Sequence, residues 1–298
     1  MLLEQVEYVR PASVDEALAL LSEDEGAAPL AGGQSLVNVL KNRVASVDVL
    51  VDISRLAELR RIERRPDGSL AIGACVTYDE LDRSEDVRAR HGVLADVAAH
   101  IEDQQIRNKG TIGGNCCLSD PTNNLPPILV ALGATMQVRS RTGVRTVPAD
   151  QFFKGYFATA LEPGELLTSI EVPPLGEGEG AGYVSLSVAA DAKAIVRAAA
   201  WVRVEEAVRD ARVVLAHVLN VPVRDGAVES ALVGSSLEPE AIRAATAIAA
   251  DSLDPVSDFH ADPEYRRKMA KVVAHRAVVQ AVDAARQGAR AGEQGSRR

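Results

Sequence analysis

The sequence predicts helices and strands mixed within about two or three compact domains, on three observations. The chain is 298 residues long with 47% hydrophobic and 25% charged residues, ordinary values for globular domains that each hold a core. Strand-sized and helix-sized apolar runs alternate as far as Val172, whereas beyond Gly182 long β-rich runs come first and helices follow. Between these regions Leu175-Gly176-Glu177-Gly178-Glu179-Gly180-Ala181-Gly182 is rich in Gly and Glu and reads as a linker with nothing to bury.

Val6 to Pro11 predicts a short strand ended by proline, and Ser13-Val14-Asp15-Glu16 a capping box that starts a helix through about Leu21. Pro29-Leu30-Ala31 leads into a glycine loop, Leu36 to Leu40 predicts a short helix, and Val47 to Ile53 a buried strand, together a small β-α-β-like unit. Leu70 to Ala74 reads as a strand, Thr77-Tyr78-Asp79-Glu80 as a second capping box, and Asp86 to Ile101 as a helix ahead of the polar stretch Glu102 to Lys109. A second glycine loop follows, then Leu125 to Leu132, whose prolines suit the first turn of a buried helix. Thr135 to Ser140, Gly143 to Pro148 and Leu166 to Val172 predict strands, the first two paired through a turn near Arg141-Thr142. After the linker, Ala194 to Val204 and Ala211 to Leu219 predict long strands joined by Glu205 to Asp210. Pro239 to Ala250 and Pro263 to Arg286 predict helices, the second with Tyr265, Met269, Val272, Val273 and Val279 at helical spacing. The domain expectation is therefore 1–55, 56–175 and 183–287, with 288–298 as a disordered tail.

The chemistry lies in two segments, Ala31-Gly32-Gly33-Gln34-Ser35-Leu36 and Gly110-Thr111-Ile112-Gly113-Gly114-Asn115. Each joins paired glycines to small hydroxyl or amide side chains, which lets backbone N–H groups approach and cradle a phosphate. One such loop reads as a turn; two, each beside an apolar strand-like run, predict a bipartite clamp on a diphosphate. Neither carries G-x-G-x-x-G, and no Gly-Lys-Ser/Thr P-loop occurs, so a different nucleotide fold is expected.

A formal charge of −9 argues against nucleic acid or an anionic membrane surface as partner. No apolar run approaches the roughly 18 residues of a membrane span. Glu4 and Glu7 stand early, with no basic region ahead of an apolar core, so no signal peptide is read and a cytoplasmic protein is expected. Cys75, Cys116 and Cys117 cannot supply the four thiolates that an iron–sulfur cluster usually takes, so any such cluster belongs on another chain. The five histidines show no metal-ligand spacing, and no metal site is expected.

Four stretches follow one another in a recognisable order: Ala31 to Leu36, Gln105-Ile106-Arg107-Asn108-Lys109-Gly110-Thr111-Ile112-Gly113-Gly114-Asn115, Asp120-Pro121, and Gly155 to Leu167. Over nearly its whole length the chain resembles the FAD-binding medium subunit of the molybdenum hydroxylases, the family of bacterial carbon monoxide dehydrogenase and of the central domain of xanthine dehydrogenase. Pro222-Val223-Arg224, Pro255-Val256-Ser257-Asp258 and Glu264-Tyr265-Arg266-Arg267 are similar to that family's C-terminal domain. The resemblance implies an α+β flavoprotein of the p-cresol methylhydroxylase type, in which two small α/β subdomains clasp FAD and a third domain, a three-stranded sheet with helices, closes over the ring.

By that resemblance Ala31, Gly32, Gly33, Gln34, Ser35 and Leu36, with Thr111, Gly113, Gly114 and Asn115, grip the pyrophosphate of FAD. Asp120 and Asn124 come within reach of the ribityl chain or ring edge, Asn124 standing where the family often has an acid. Ser185 to Ile195 departs from the family, which there has a pair of arginines followed by an acid and an aromatic. Here the arginines are missing and Lys193 stands about where the aromatic would, so Lys193 or Asp191 is expected at the flavin edge. Gln105 to Lys109 either positions the second loop or faces a partner subunit, and Cys116 and Cys117 read as small buried hydrophobes rather than a covalent flavin link or a redox pair. The implied function is an electron-transfer subunit: a molybdopterin-containing large subunit hydroxylates a substrate, an iron–sulfur small subunit relays electrons, and the FAD of this chain passes them to an external acceptor. The alternative is a stand-alone FAD enzyme using the same scaffold for substrate oxidation or flavin-supported cyclisation in secondary metabolism. A third reading is an interaction module that has lost the cofactor.

Overall fold

Ser13 caps the first helix as its pattern requires, its hydroxyl accepting from Glu16 N at 3.1 Å. The computed structural model describes residues 4–188 and 193–296. β1 (Glu7–Val9), α1 (Val14–Glu23), β2 (Ala27–Leu30), α2 (Leu36–Lys41) and β3 (Val49–Asp52) build a three-stranded parallel sheet in the order β1-β3-β2. Val14, Ala17, Leu18 and Leu21 of α1 pack with Val51 and Ile53. The i, i+3, i+4, i+7 spacing of those four makes this face continuous.

Next come β4 (Ile62–Arg64), β5 (Leu70–Gly73), α3 (Tyr78–Arg83), α4 (Glu85–Ala99), α5 (Gln104–Arg107), α6 (Ile112–Leu118) and α7 (Leu125–Leu132). β6 (Thr135–Ser140), β7 (Gly143–Pro148), α8 (Ala149–Phe152), β8 (Phe153–Gly155), β9 (Ala158–Thr159) and β10 (Leu166–Val172) follow. A five-stranded sheet runs β4-β5-β10-β6-β7, and β8 and β9 form a small hairpin. Thr77 caps α3 with both halves of a capping box present.

The chain divides into two compact units, one ending at Leu118 but regaining Thr135–Val172, the other made of Ser119–Ala134 and everything from Pro173. In the second unit β11 (Glu179–Ser187), β12 (Ala194–Val204), β13 (Val208–Ala216) and β14 (Val223–Arg224) form an antiparallel sheet in that order. The two-residue β14 adds a fourth strand to the three that the family resemblance implies. α9 (Gly226–Leu232), α10 (Pro239–Thr246) and α11 (Pro263–Ser296) share a core with Val196, Ala198, Ala200 and Val202 of β12. α7, buried at all eight residues, packs against β12 and β13.

Three segments differ from the sequence expectations. Half of the expected linker is strand, because β11 begins at Glu179; a Cβ on Gly180 would lie 2.2 Å from the Ala281 carbonyl oxygen, and one on Gly182 2.2 Å from that of Ala277. Those glycines let the backbone of α11 lie directly on the strand. α9 carries no apolar period long enough to read, yet Asp225 caps it by accepting from Val228 N at 3.3 Å. α11 runs on to Ser296 through residues 287–296, which carry three glycines and no apolar period, and propensity does not account for that extension. Among the described residues no helix is long and apolar enough to cross a membrane.

His91 breaks α4 with φ −139° and ψ 53°, and its ring is fully buried with neither nitrogen hydrogen-bonded among the described residues. Burial, and secondarily the charge of Arg90, push its pKa down to about 4. The unfolded chain therefore binds one more proton than the folded chain between pH ~6.5 and ~4, and stability falls through that window by about 3 kcal/mol. His91→Leu is expected to raise stability at pH 5 and to flatten the pH dependence of urea unfolding by one proton. An unchanged slope would show that His91 is already charged in the fold.

Candidate cofactor site

Loop one is the turn from β2 into α2. Gly33 takes φ +72°, a conformation that glycine adopts freely, and its carbonyl accepts from Val37 N at 3.0 Å to start the helix. Ser35, at the N-cap position, makes no side-chain capping bond. The N–H groups of Gly32, Gly33, Gln34, Ser35 and Leu36 donate no hydrogen bond among the described residues, and Gln34 and Ser35 are exposed. No acidic side chain stands in this run. Consecutive N–H groups without an internal acceptor, and with no carboxylate in the run, could serve an anion with several oxygens.

The second glycine segment is not a loop but the opening of α6. Ile112 N donates to Val76 O at 3.0 Å, Gly113 N to Ala74 O at 2.9 Å, Gly114 N to Thr111 Oγ1 at 3.0 Å and Asn115 N to Thr111 O at 2.9 Å. The first N–H groups of this helix are therefore used within the unit, so free donors come from loop one rather than equally from both. Gly113 is required by packing instead, since a Cβ there would lie 2.5 Å from the Ala74 carbonyl oxygen. Thr111 and Asn115 are buried, and Asn115 Nδ2 donates to Tyr78 Oη at 3.1 Å. Burial pushes the Tyr78 hydroxyl well up, with the Asn115 hydrogen bond partly offsetting it, so the hydroxyl is neutral.

The two segments meet. A Cβ on Gly32 would lie 2.0 Å from Lys109 O and 3.0 Å from Gly110 Cα, so only a glycine lets loop one rest on the chain entering α6. The polar stretch before it is knitted for that purpose. Arg107 Nη1 donates to Ile101 O at 3.1 Å and Glu102 O at 2.6 Å, Gln104 Nε2 to Asp79 Oδ1 at 2.8 Å, and Gly110 N to Ile106 O at 2.6 Å. Of the two roles expected for Gln105 to Lys109, these bonds support positioning the second segment.

Asp120, Asn124 and Lys193 belong to the second unit. Asp120 is buried; Thr122 N and Oγ1 donate to its Oδ1 at 2.8 and 2.6 Å, and Lys193 Nζ to its Oδ2 at 2.8 Å. Burial works to raise its pKa, but the hydrogen bonds from Lys193 and Thr122 outweigh it and the carboxyl lies below its ordinary range. Asn124 precedes α7 without capping it, and Ser119, just upstream, is held at φ 50°. Asp191 lies outside the described residues. Sequence reading passed over Arg197, whose guanidinium is buried and donates to the Thr122 carbonyl. The signal was present: one arginine inside the apolar run Ala194 to Val202.

Cys75 and Cys117 are pushed up to about 12 by burial, and Cys116 is raised well above its ordinary value by the same cause, so these thiols are protonated and poor nucleophiles. Among the described residues no cluster of His, Cys, Asp and Glu is placed to hold a metal.

Residues 4–175 match the family described as "FAD binding domain in molybdopterin dehydrogenase", and residues 182–281 match "CO dehydrogenase flavoprotein C-terminal domain". The chain is 36% identical to the carbon monoxide dehydrogenase medium chain of Afipia carboxidovorans, over 92% of its own length and 96% of the relative's. It is 35% identical to the glyceraldehyde dehydrogenase medium chain of Sulfolobus acidocaldarius, over 91% and 96%. Its fold superposes on a chain of carbon monoxide dehydrogenase from Hydrogenophaga pseudoflava with a TM-score of 0.90 at 36% identity, covering 94% of this chain and 98% of that one. A glycine cradle opening the first unit, a C-terminal sheet-and-helix unit, and matches that run almost end to end make this chain a member of the FAD-binding medium-subunit family of the molybdenum hydroxylases.

Proposed function

We propose that this chain is the FAD-carrying electron-transfer subunit of a molybdenum hydroxylase, working in the cytoplasm with a molybdopterin-containing large subunit and an iron–sulfur small subunit. One observation carries the reading: the run of unused N–H groups from Gly32 to Leu36, pressed by Gly32 onto the chain entering α6, within the stretch that matches the FAD-binding family. That donor set fits a diphosphate, because N–H dipoles offset two negative charges without placing an ammonium beside them. When bound, FAD supplies both one-electron and two-electron chemistry, which lets an iron–sulfur relay serve a two-electron acceptor.

Ala31, Gly32, Gly33, Gln34, Ser35 and Leu36 would hold the diphosphate by N–H and hydroxyl donation. Thr111, Gly113, Gly114 and Asn115 would form the wall beside it. Asp120, kept ionised by Lys193 and Thr122, is an acceptor suited to a ribityl hydroxyl, and Asn124 can both accept and donate there. With its thiols protonated, the chain offers no activated sulfur for a covalent flavin bond. The three thiols are free of disulfides, in keeping with a reducing compartment.

Acid precipitation of the purified chain is expected to release yellow FAD into the supernatant. Co-expression with its partner subunits should then yield a complex whose substrate-dependent dye reduction requires that FAD. Colour that stays with the pellet would overturn noncovalent binding. An isolated chain that turns over a substrate at full rate would replace the electron-transfer role with a stand-alone flavoenzyme.

A further inference from the structure

The turn from Asp120 to Thr122 is held by two cations from one stretch of chain. Lys193 Nζ pairs with Asp120 Oδ2 at 2.8 Å, and Arg197 Nη1 donates to the Thr122 carbonyl. Thr122 returns its own N–H and hydroxyl to Asp120 Oδ1, so one carboxylate and one carbonyl gather two positive charges. Lys193 is enough to balance Asp120. Arg197 is 5% exposed, its Nε is buried without a hydrogen bond, and no carboxylate forms an ion pair with it among the described residues. On the neighbouring β11 the buried Tyr183 hydroxyl lies beside the guanidinium: burial raises its pKa, while the Arg197 charge and a hydrogen bond from Arg197 pull the other way.

A buried guanidinium with no counter-ion is costly, and two neutral partners, the Thr122 carbonyl and the Tyr183 hydroxyl, are a small return for it. We infer that Arg197 is a positioning residue that fixes the Asp120–Asn124 turn for FAD, and that its uncompensated charge makes the bound flavin easier to reduce. The inference rests on the cofactor reading above. A ligand that takes up electrons gains negative charge, and a fixed cation in a poorly solvated setting favours that gain.

The experiment compares wild type, Arg197→Met, Arg197→Lys and Lys193→Gln, each reconstituted with FAD. Affinity is read by fluorescence titration and midpoint potential by dye-equilibrated reduction followed at the flavin absorbance. Arg197→Met is expected to bind FAD about tenfold more weakly, as the loss of one charge-assisted hydrogen bond implies, and at a more negative potential. Arg197→Lys, which keeps the charge but not the planar fork, should return the potential toward wild type. Lys193→Gln alters a side chain that is 55% exposed, so it should fold even where Arg197→Met does not; it too should shift the potential negative. An unchanged potential in whichever of Arg197→Met and Lys193→Gln binds FAD overturns the inference alone. A wild-type chain that takes up no FAD removes the cofactor reading and this inference together.

Discussion

Replacing Gly32 by alanine is expected to lower FAD affinity by a hundredfold or more, about 3 kcal/mol, the largest effect of any single methyl group in the first unit. The added carbon would sit 2.0 Å from Lys109 O and 2.7 Å from Lys109 C, backbone atoms that cannot swing aside. Loop one would have to lift from the chain entering α6, and its unused N–H groups would move with it. Gly114→Ala is the informative contrast. A Cβ there meets only Thr111 Oγ1 at 2.9 Å, a rotatable hydroxyl, so affinity should stay within about threefold of wild type while helix propensity improves. Fluorescence quenching of FAD beside a melting curve checks both. Wild-type affinity in Gly32→Ala would show that the contact between the two segments is dispensable.

Arg266→Met should cost the second unit about 3–5 kcal/mol. Arg266 is fully buried and donates to Ile195 O, to His217 O at 2.8 Å and to Val256 O at 3.0 Å, with Nη2 2.8 Å from Asp258 Oδ1. Removing it leaves three carbonyls without their donor and a carboxylate without its cation. His217 stays 3.2 Å from Asp258 through Nε2, but burial holds its pKa down, so it is a neutral partner at pH 7. Urea unfolding should show the loss, and Tm should drop by roughly 10 °C. A change below about 1 kcal/mol would mean that water replaces the guanidinium, and the network would not be what ties the start of α11 to the sheet.

Much of the fold was legible because its signals are local. The Ser13 cap and the capping box at Thr77 mark helix starts, although Glu16 takes the N–H of Ala12 rather than closing a box on Ser13, and β6, β7 and β10 were read to the residue. What escaped depends on contacts distant in sequence. Gly180 and Gly182 look like linker glycines until the backbone of α11 is laid on them. That Gly113 also packs its backbone against Ala74 is visible only in three dimensions. The glycine-rich composition of loop one is plain in sequence, whereas the commitment of the second segment's N–H groups to Val76, Ala74 and Thr111 needed three dimensions. Arg197 and Arg266 were missed or unexplained for the same reason. A buried cation declares itself in sequence only as an oddity, and its partners decide its role.

The excursion of Ser119–Ala134 into the second unit makes both units discontinuous in sequence, with the chain passing from one to the other three times. The residues that match the FAD-binding family end at 175, yet that boundary is not a place where the molecule can be divided. A fragment stopping there would carry α7, eight residues with every one buried, and would leave behind the β12 and β13 strands it packs on. The residues after 175 expressed alone would lack the helix that packs on their sheet. Recombination between related medium chains at the family boundary would thus break a core, whereas whole-gene exchange would keep it. This topology gives a physical reason for the two matched regions to be inherited together.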